Sequence, residues 1–298
     1  MATPSVKNKN QKDVDKHVSR LYAKINEDIE FGIKPLPDFP GIAQRLGDLV
    51  RNPNYRASDL AELLRRDESL TQLIIRIASS ALYPAQEPCE DLNVAIRRMG
   101  AETISNLVLT FCLHNLFRSD IKAVQQKLIR IWNLDTKAAA TAAWIGRYAQ
   151  DIKAEDALFA GLMQNVGSYF LLSRFGEKIK SDYHWVLFDE LMKRHSPQLS
   201  ERILRKWHMP EHIVDAAPTK DHWLREHDQA ADVADVLIAA RYHVYLNTNL
   251  IKGAPKYTDM SLSKRLKLNK SEATPFQGLR FVHEEQDAIR DIIRMLTI

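Results

Sequence analysis

The sequence is short of most features that announce a chemistry. Only two of its 298 residues are cysteine, Cys89 and Cys112, and they form no C-x-x-C pair. That excludes a zinc ribbon or a dithiol redox centre. Two isolated thiols suit a reducing cytoplasm better than a secreted disulfide scaffold. The 10 glycines and 12 prolines leave room for long helices. No glycine-rich phosphate loop is present, and no G-x-S-x-G nucleophile elbow. No apolar run approaches the roughly 20 residues that cross a bilayer, so no membrane role is expected. The first twenty residues are polar and lysine-rich, without the apolar centre of a signal peptide. These absences predict a cytoplasmic protein. The formal net charge of +4 is too small to imply a nucleic-acid partner by itself. Internal repeats and strand-like alternation are absent too.

What is present is helical periodicity. Leu36-Pro37-Asp38-Phe39-Pro40 reads as extended, because proline disfavours helix at the residue before it. Beyond it Ile42, Leu46, Leu49 and Val50 share a face, and Asn52-Pro53-Asn54 breaks that helix. Ser58 is a candidate cap for a helix carrying Leu60, Leu63 and Leu64. Asp67 precedes a third, with Leu70, Leu73, Ile74, Ile77 and Ala78 on one stripe. Asp91 caps a short helix with Val94, Ala95 and Met99 that Gly100 ends. Leu107, Val108 and Phe111 mark another. Residues 121–150 form a long stretch whose alanines, Ala138 to Ala143, predict close helix packing. Asp156 is a candidate cap for a helix through Val166, and Ser196-Pro197 reads as a helix start. Residues 230–246 read as a buried helix, and 247–278 as polar and irregular. Ala288, Ile289, Ile292, Ile293 and Leu296 define a last amphipathic helix, which could fold back or pair with a second chain as a homodimer. The expected fold is all-α.

Six segments in order resemble the HDOD (HD-related output domain) family. They are Leu36–Ala43, Leu63–Leu70, Ile77–Tyr83 (with Ser79 where the family usually has Asn), Ala95–Gly100, Ala160–Gly167 and Lys206–Pro210. The resemblance spans roughly residues 35–245. It implies an N-terminal helical lobe, to about residue 118, packed on an HD-like bundle. The implied organisation is a basic tail or helix over 1–34, the HDOD domain over 35–246 and an extension over 247–298. HD phosphohydrolases hold a divalent metal with a His, a His-Asp pair and a later Asp. Lone-pair donors and anionic charge are what such an ion requires. On this sequence those positions resemble Leu134, Gln164, Asn165 and Asp235, with Asp232 the alternative for the last. One carboxylate among an aliphatic and two amides predicts no bound metal, no cofactor and no catalytic residue. The resemblance implies a bacterial signal-transduction role, through a protein partner or a sensed small ligand. The rival readings are a metal-dependent phosphohydrolase and a nucleic-acid-binding regulator.

Leu134, Gln164, Asn165 and Asp235 read either as a remodelled ligand pocket or, more plainly for Gln164 and Asn165, as a hydrogen-bonded polar pair inside the bundle, since buried amides need partners. His208 and His212 have zinc-like spacing, but Pro210 interrupts the face they would share. His222, His227 and Asp228 fall in an expected loop, and Cys112 in an apolar helix as a core residue. Lys7, Lys9, Lys12 and Lys16, with Lys252, Lys256, Lys264, Arg265, Lys267 and Lys270, are basic enough for weak, salt-labile nucleic-acid contact. No aromatic series for base stacking accompanies them.

Overall fold

The computed structural model describes residues 4–52, 54–84, 89–246, 248–269, 273–275 and 277–296. The chain is all-α. α1 (Pro4–Glu30) precedes the N-terminal lobe, which comprises α2 (Gly41–Arg51), α3 (Ala57–Arg65), α4 (Glu68–Ala78), α5 (Leu92–Met99) and α6 (Ala101–Leu116). The bundle comprises α7 (Lys122–Gly146), α8 (Ala154–Met163), α9 (Val166–Phe175), α10 (Asp182–Lys206), α11 (Glu211–Thr219) and α12 (Val233–Tyr245). The last stretch carries α13 (Leu262–Arg265), a two-residue strand pair β1 (Ala273–Thr274) and β2 (Gly278–Leu279), α14 (Arg280–Glu284) and α15 (Gln286–Leu296). No helix among the described residues is long and apolar enough to cross a membrane.

The predicted caps at α4 and α5 are present. Asp67 accepts from the Leu70 amide at 3.0 Å, and Asp91 from Asn93 and Val94 at 2.6 and 3.0 Å. Gly100 then stops α5 with φ 78°, a region glycine occupies without steric cost. Three boundaries differ from the sequence reading. α3 starts one residue before Ser58, and Asp59 reaches back to the Arg56 amide at 3.1 Å. Asp156 sits inside the first turn of α8 rather than at its cap. Ser196-Pro197 does not start a helix: α10 runs through it from a Ser181 cap. Proline there forfeits only the bond to the Lys193 carbonyl, and the packed helix tolerates that loss. Pro53 lies outside the described residues.

The segment read as a basic tail is largely helical. Val18 and Ile25 of α1 are fully buried, and α1 lies along α10. Arg202 donates to Asn26 at 3.0 Å, and the Tyr22 and His195 rings stack at 3.6 Å. The side chains of Lys7, Lys9 and Lys270 lie outside the described residues.

The ordered segments meet in space. Trp207 Nε1 donates to the Pro37 carbonyl at 3.0 Å, and the Phe39 ring meets Trp207 edge-on. Arg98 donates to the Ala78 carbonyl at 2.7 Å, joining the ends of α4 and α5. The alanine run of α7 packs against α8 so closely that a Cβ on Gly161 would lie 2.4 Å from Ala139 Cα. A Cβ on Gly167 would lie 2.4 Å from the Ser196 carbonyl oxygen. Both approaches are closer than non-bonded carbon tolerates. The final helix folds back: Ile289, Ile292 and Leu296 are buried, and α15 contacts α7 and α4. Glu285 accepts from Trp144 Nε1 at 2.9 Å and from the Tyr148 hydroxyl at 3.0 Å.

Candidate functional site

Between α7, α10, the end of α11 and α12 lies a cleft of about 560 Å³. It centres on the turn where α8 ends and α9 begins, the place of Gln164 and Asn165. Leu134, Asp135, Asn165, Lys220, Asp221 and Arg241 line it, with Trp223 and Tyr245 on one side.

The network runs from side to side. Asp135 on α7 is 1 % exposed and accepts from Asn165 Nδ2 at 2.6 Å and from the Tyr169 hydroxyl. Lys220, just past α11, donates to Asn165 Oδ1 at 2.6 Å and to the Gln164 carbonyl at 3.0 Å. Gln164 is fully buried: its Nε2 donates to the Gly161 carbonyl at 2.7 Å, and its Oε1 accepts from Arg241. Ser200 of α10 accepts from the Gly167 amide at 3.0 Å and donates to the Gln164 carbonyl at 3.3 Å. Arg241 also donates to Asp221 and lies 4.8 Å over the Tyr245 ring.

These neighbours set the charges. Burial pushes the Asp135 carboxyl up to about 6, against the lowering effect of bonds from Tyr169 and Asn165 and of the nearby Arg241 and Lys220. Burial pulls the Lys220 ammonium down to about 8. For Asp221 burial works upward, yet Arg241 and Lys220 outweigh it and hold the carboxyl below its ordinary value.

The donor set does not fit a divalent ion. Lys220 holds an ammonium against Asn165, where a metal ligand would have to face the ion. The Asp135 oxygens already accept from Asn165 and Tyr169, and Asp221 is engaged by Arg241. Two enclosed cations would repel a third.

Of the sequence candidates, Leu134 and Asn165 face this cleft, and Gln164 forms its backing. Asp235 lies elsewhere, in the first turn of α12, fully buried in a second cluster. Arg265 grips it through Nη2 at 2.8 Å and Nε at 3.1 Å, and Arg225 donates at 3.2 Å while holding Asp232 at 2.7 Å. His227 Nε2 lies 3.1 Å from Asp235. His227, Asp232 and Asp235 are close enough to share an ion. Two guanidiniums already neutralise the carboxylates, so this triad serves as an anchor for the segment carrying Arg265. Burial works to raise the Asp235 pKa, but Arg265, Arg225 and His227 together hold it below the usual carboxylate range.

Arg265 therefore is not a surface charge, and Lys252, Lys256, Lys264 and Lys267 are the exposed members of the late basic run. His212 stands beside Asp156 at 3.5 Å, and His208 takes a left-handed backbone with φ 55°. Cys112 is half-buried, and burial lifts its thiol to about 11. Asp135, Lys220, Asp221 and Arg241 escaped the sequence reading. The one available signal was Arg241, a lone cation within the apolar run Val233–Tyr242.

Residues 36–222 match the sequence profile of the HDOD domain. A protein of Treponema pallidum (strain Nichols), described as uncharacterized, is 19% identical over 213 residues, covering 68% of this chain. The chain spans 40% of that relative's length. Three crystal structures share the fold. A Shewanella amazonensis SB2B protein, provisionally described as a metal-dependent phosphohydrolase, superposes with TM-score 0.76 at 18% identity, over 95% of this chain and 100% of its own. A Geobacter sulfurreducens HDOD domain protein of unknown function gives 0.57 at 18% identity, over 91% and 86%. A Marinobacter aquaeolei VT8 protein, provisionally described as a signal transduction protein, gives 0.59 at 20% identity, over 88% and 60%.

Proposed function

Starting from the fact that this chain belongs to the HDOD domain family, we propose that it is a regulatory protein that works by binding rather than by catalysis. It acts in the cytoplasm of a bacterium, through a protein signalling partner or by sensing a small ligand. The observation that carries this reading is the ammonium of Lys220 lodged on Asn165 at 2.6 Å, at the turn where a catalytic relative would present metal ligands. A metal cannot activate water unless it is held, and this turn offers an amide and a cation. The Shewanella protein's description concerns that protein; at 18% identity only the fold is shared.

The test is elemental analysis of protein dialysed after exposure to Mn²⁺, Fe²⁺, Zn²⁺ and Ni²⁺, with p-nitrophenyl phosphate hydrolysis in parallel. The expected result is far less than one ion per chain and no hydrolysis above the protein-free rate. One tightly held ion per chain, lost in Asp135→Ala or Asp235→Ala together with phosphatase activity, would overturn the reading. Affinity capture from the native cell, followed by mass spectrometry, identifies the partner.

A further inference from the structure

The cleft is more than the remnant of a metal site. Its volume of about 560 Å³ is that of a small-molecule pocket. Lys220 and Arg241 at its floor are each 4 % exposed. An enclosed cation is costly unless its donors are satisfied, and these two have donors to spare. The Lys220 ammonium carries three N–H groups, and two of them reach Gln164 and Asn165. Arg241 Nη1 and Nη2 each spend one of their two N–H groups, on Gln164 and Asp221.

The charge of the lining is unbalanced in the same direction. Lys127, Lys193, Lys220 and Arg241 face only Asp135 and Asp221. Lys127 also has Asp189 at 2.8 Å, whereas Lys193 stands exposed at the rim. With Asp189 set against Lys127, three carboxylates meet four cations, and the excess positive charge attracts an anion. A low-dielectric floor strengthens that attraction.

The remaining wall is mainly aromatic and apolar, with Ser168, Ser196 and His222 its polar members. Trp223 meets Tyr245 edge-on at 6.2 Å and Tyr242 at 6.2 Å, so its ring is held in place before any ligand arrives. Ile131, Met192, Pro197 and Leu250 add to the apolar lining. A fixed indole beside two buried cations suits a ligand with a flat apolar body and a charged end.

We propose that this cleft binds a small organic anion bearing a planar ring, its charged group on Lys220, Arg241 and Lys193 and its ring against Trp223. The proposal rests on the non-catalytic reading in one respect only: the ligand leaves unchanged. The shared chemistry is an anionic group on a ring, whether phosphate or carboxylate. Binding has a proton signature as well. Burial, helped by the charge of Arg241, keeps the Lys220 pKa near 8 against the raising effect of Asp221 and Asp135, so an anion beside Lys220 draws a proton onto the protein at that pH. His222 is on the same lining, and loss of the uptake in Lys220→Met assigns it to this lysine rather than to His222.

The experiment is isothermal titration of the full chain with phenyl phosphate, benzoate and phenol, near pH 8, in two buffers of different ionisation heat. The expected result is one-to-one binding of phenyl phosphate, benzoate or both, none of neutral phenol, and net proton uptake. Lys193→Ala, at the exposed rim, weakens binding about fivefold, the effect of one charge at contact distance across water. Lys220→Met abolishes the proton uptake, with circular dichroism confirming that the variant folds; if it does not fold, the Lys193→Ala arm decides. Phenol binding as tightly as the anions, Lys193→Ala binding like wild type, or no saturable heat to about 10 mM of either anion would each refute the proposal. Phosphate release from phenyl phosphate is followed in the same samples with Mn²⁺ added. Release that Asp135→Ala abolishes overturns the non-catalytic reading and leaves the site standing. Absence of both binding and release removes the anion site and leaves that reading intact.

Discussion

Replacing Gln164 by leucine removes a side chain that touches no solvent and joins two helices. Two partners lose a bond. The Gly161 carbonyl loses the Nε2 donor, and the Arg241 guanidinium loses Oε1 as an acceptor. Arg241 keeps Asp221 as an acceptor, but its Nε is already unpartnered. Leaving a buried neutral acceptor unmade costs about 1 kcal/mol, and a buried charged donor about 1.5 to 3. Together that is about 2.5 to 4 kcal/mol, and leucine offsets part of it through its own burial, so the net loss is about 2 kcal/mol. For a chain of this size each kcal/mol lowers the melting temperature by about 2 to 4 °C, giving a fall of about 4 to 8 °C. The assay is a far-ultraviolet circular dichroism melt, with the exposed Gln229→Leu as control. The control should stay within about 0.5 kcal/mol of wild type. A Gln164→Leu protein that melts with wild type yet fails to signal would refute the argument, since Gln164 would then be serving a ligand rather than the scaffold.

Two further outcomes are expected. Asp135 titrates near 6 when folded and near 4 when unfolded, so between those values the folded state binds more protons and stability falls as pH rises. In denaturant titrations from pH 4 to 7, wild type should lose stability relative to Asp135→Asn across that window; parallel curves would contradict it. Asp235→Ala strands Arg225 and Arg265 without their shared carboxylate, a loss of about 3 to 5 kcal/mol for a broken buried pair. Limited proteolysis should then cut within 250–280 well before the bundle, and an unchanged digestion pattern would show that the cluster anchors nothing.

Much of the architecture was legible because helix signals are local. The stripe Leu70, Leu73, Ile74, Ile77 and Ala78, with Asp67 before it, specifies α4 without help from the rest of the chain. Pro197 misled because its local preference is for a helix start, while the surrounding packing carries α10 through it. The N-terminal helix hid its apolar spacing, Val14, Val18, Leu21 and Ile25, among lysines. The cleft was harder. Lysine is rarely buried, so nothing near Lys220 in sequence announces that it lies inside. Leu134 and Asp135 are adjacent on α7, about 100° apart round the helix, and both reach the cleft. Attention to one residue obscured the other. The partners of Asn165 come from positions 135 and 220, a convergence that only the folded chain creates.

The two glycines that flank Gln164 and Asn165 separate shape from chemistry. Gly161 lies against the backbone of α7 and Gly167 against that of α10, with no room for a methyl group at either. The turn between them is therefore positioned by main-chain contact, and the Gln164 side chain adds stability to a path the backbone already fixes. A substitution in that turn costs stability without redirecting the helices. Recognition chemistry at that spot is thus separable from the path of the chain, whereas a side chain at either glycine would have to push a neighbouring helix aside.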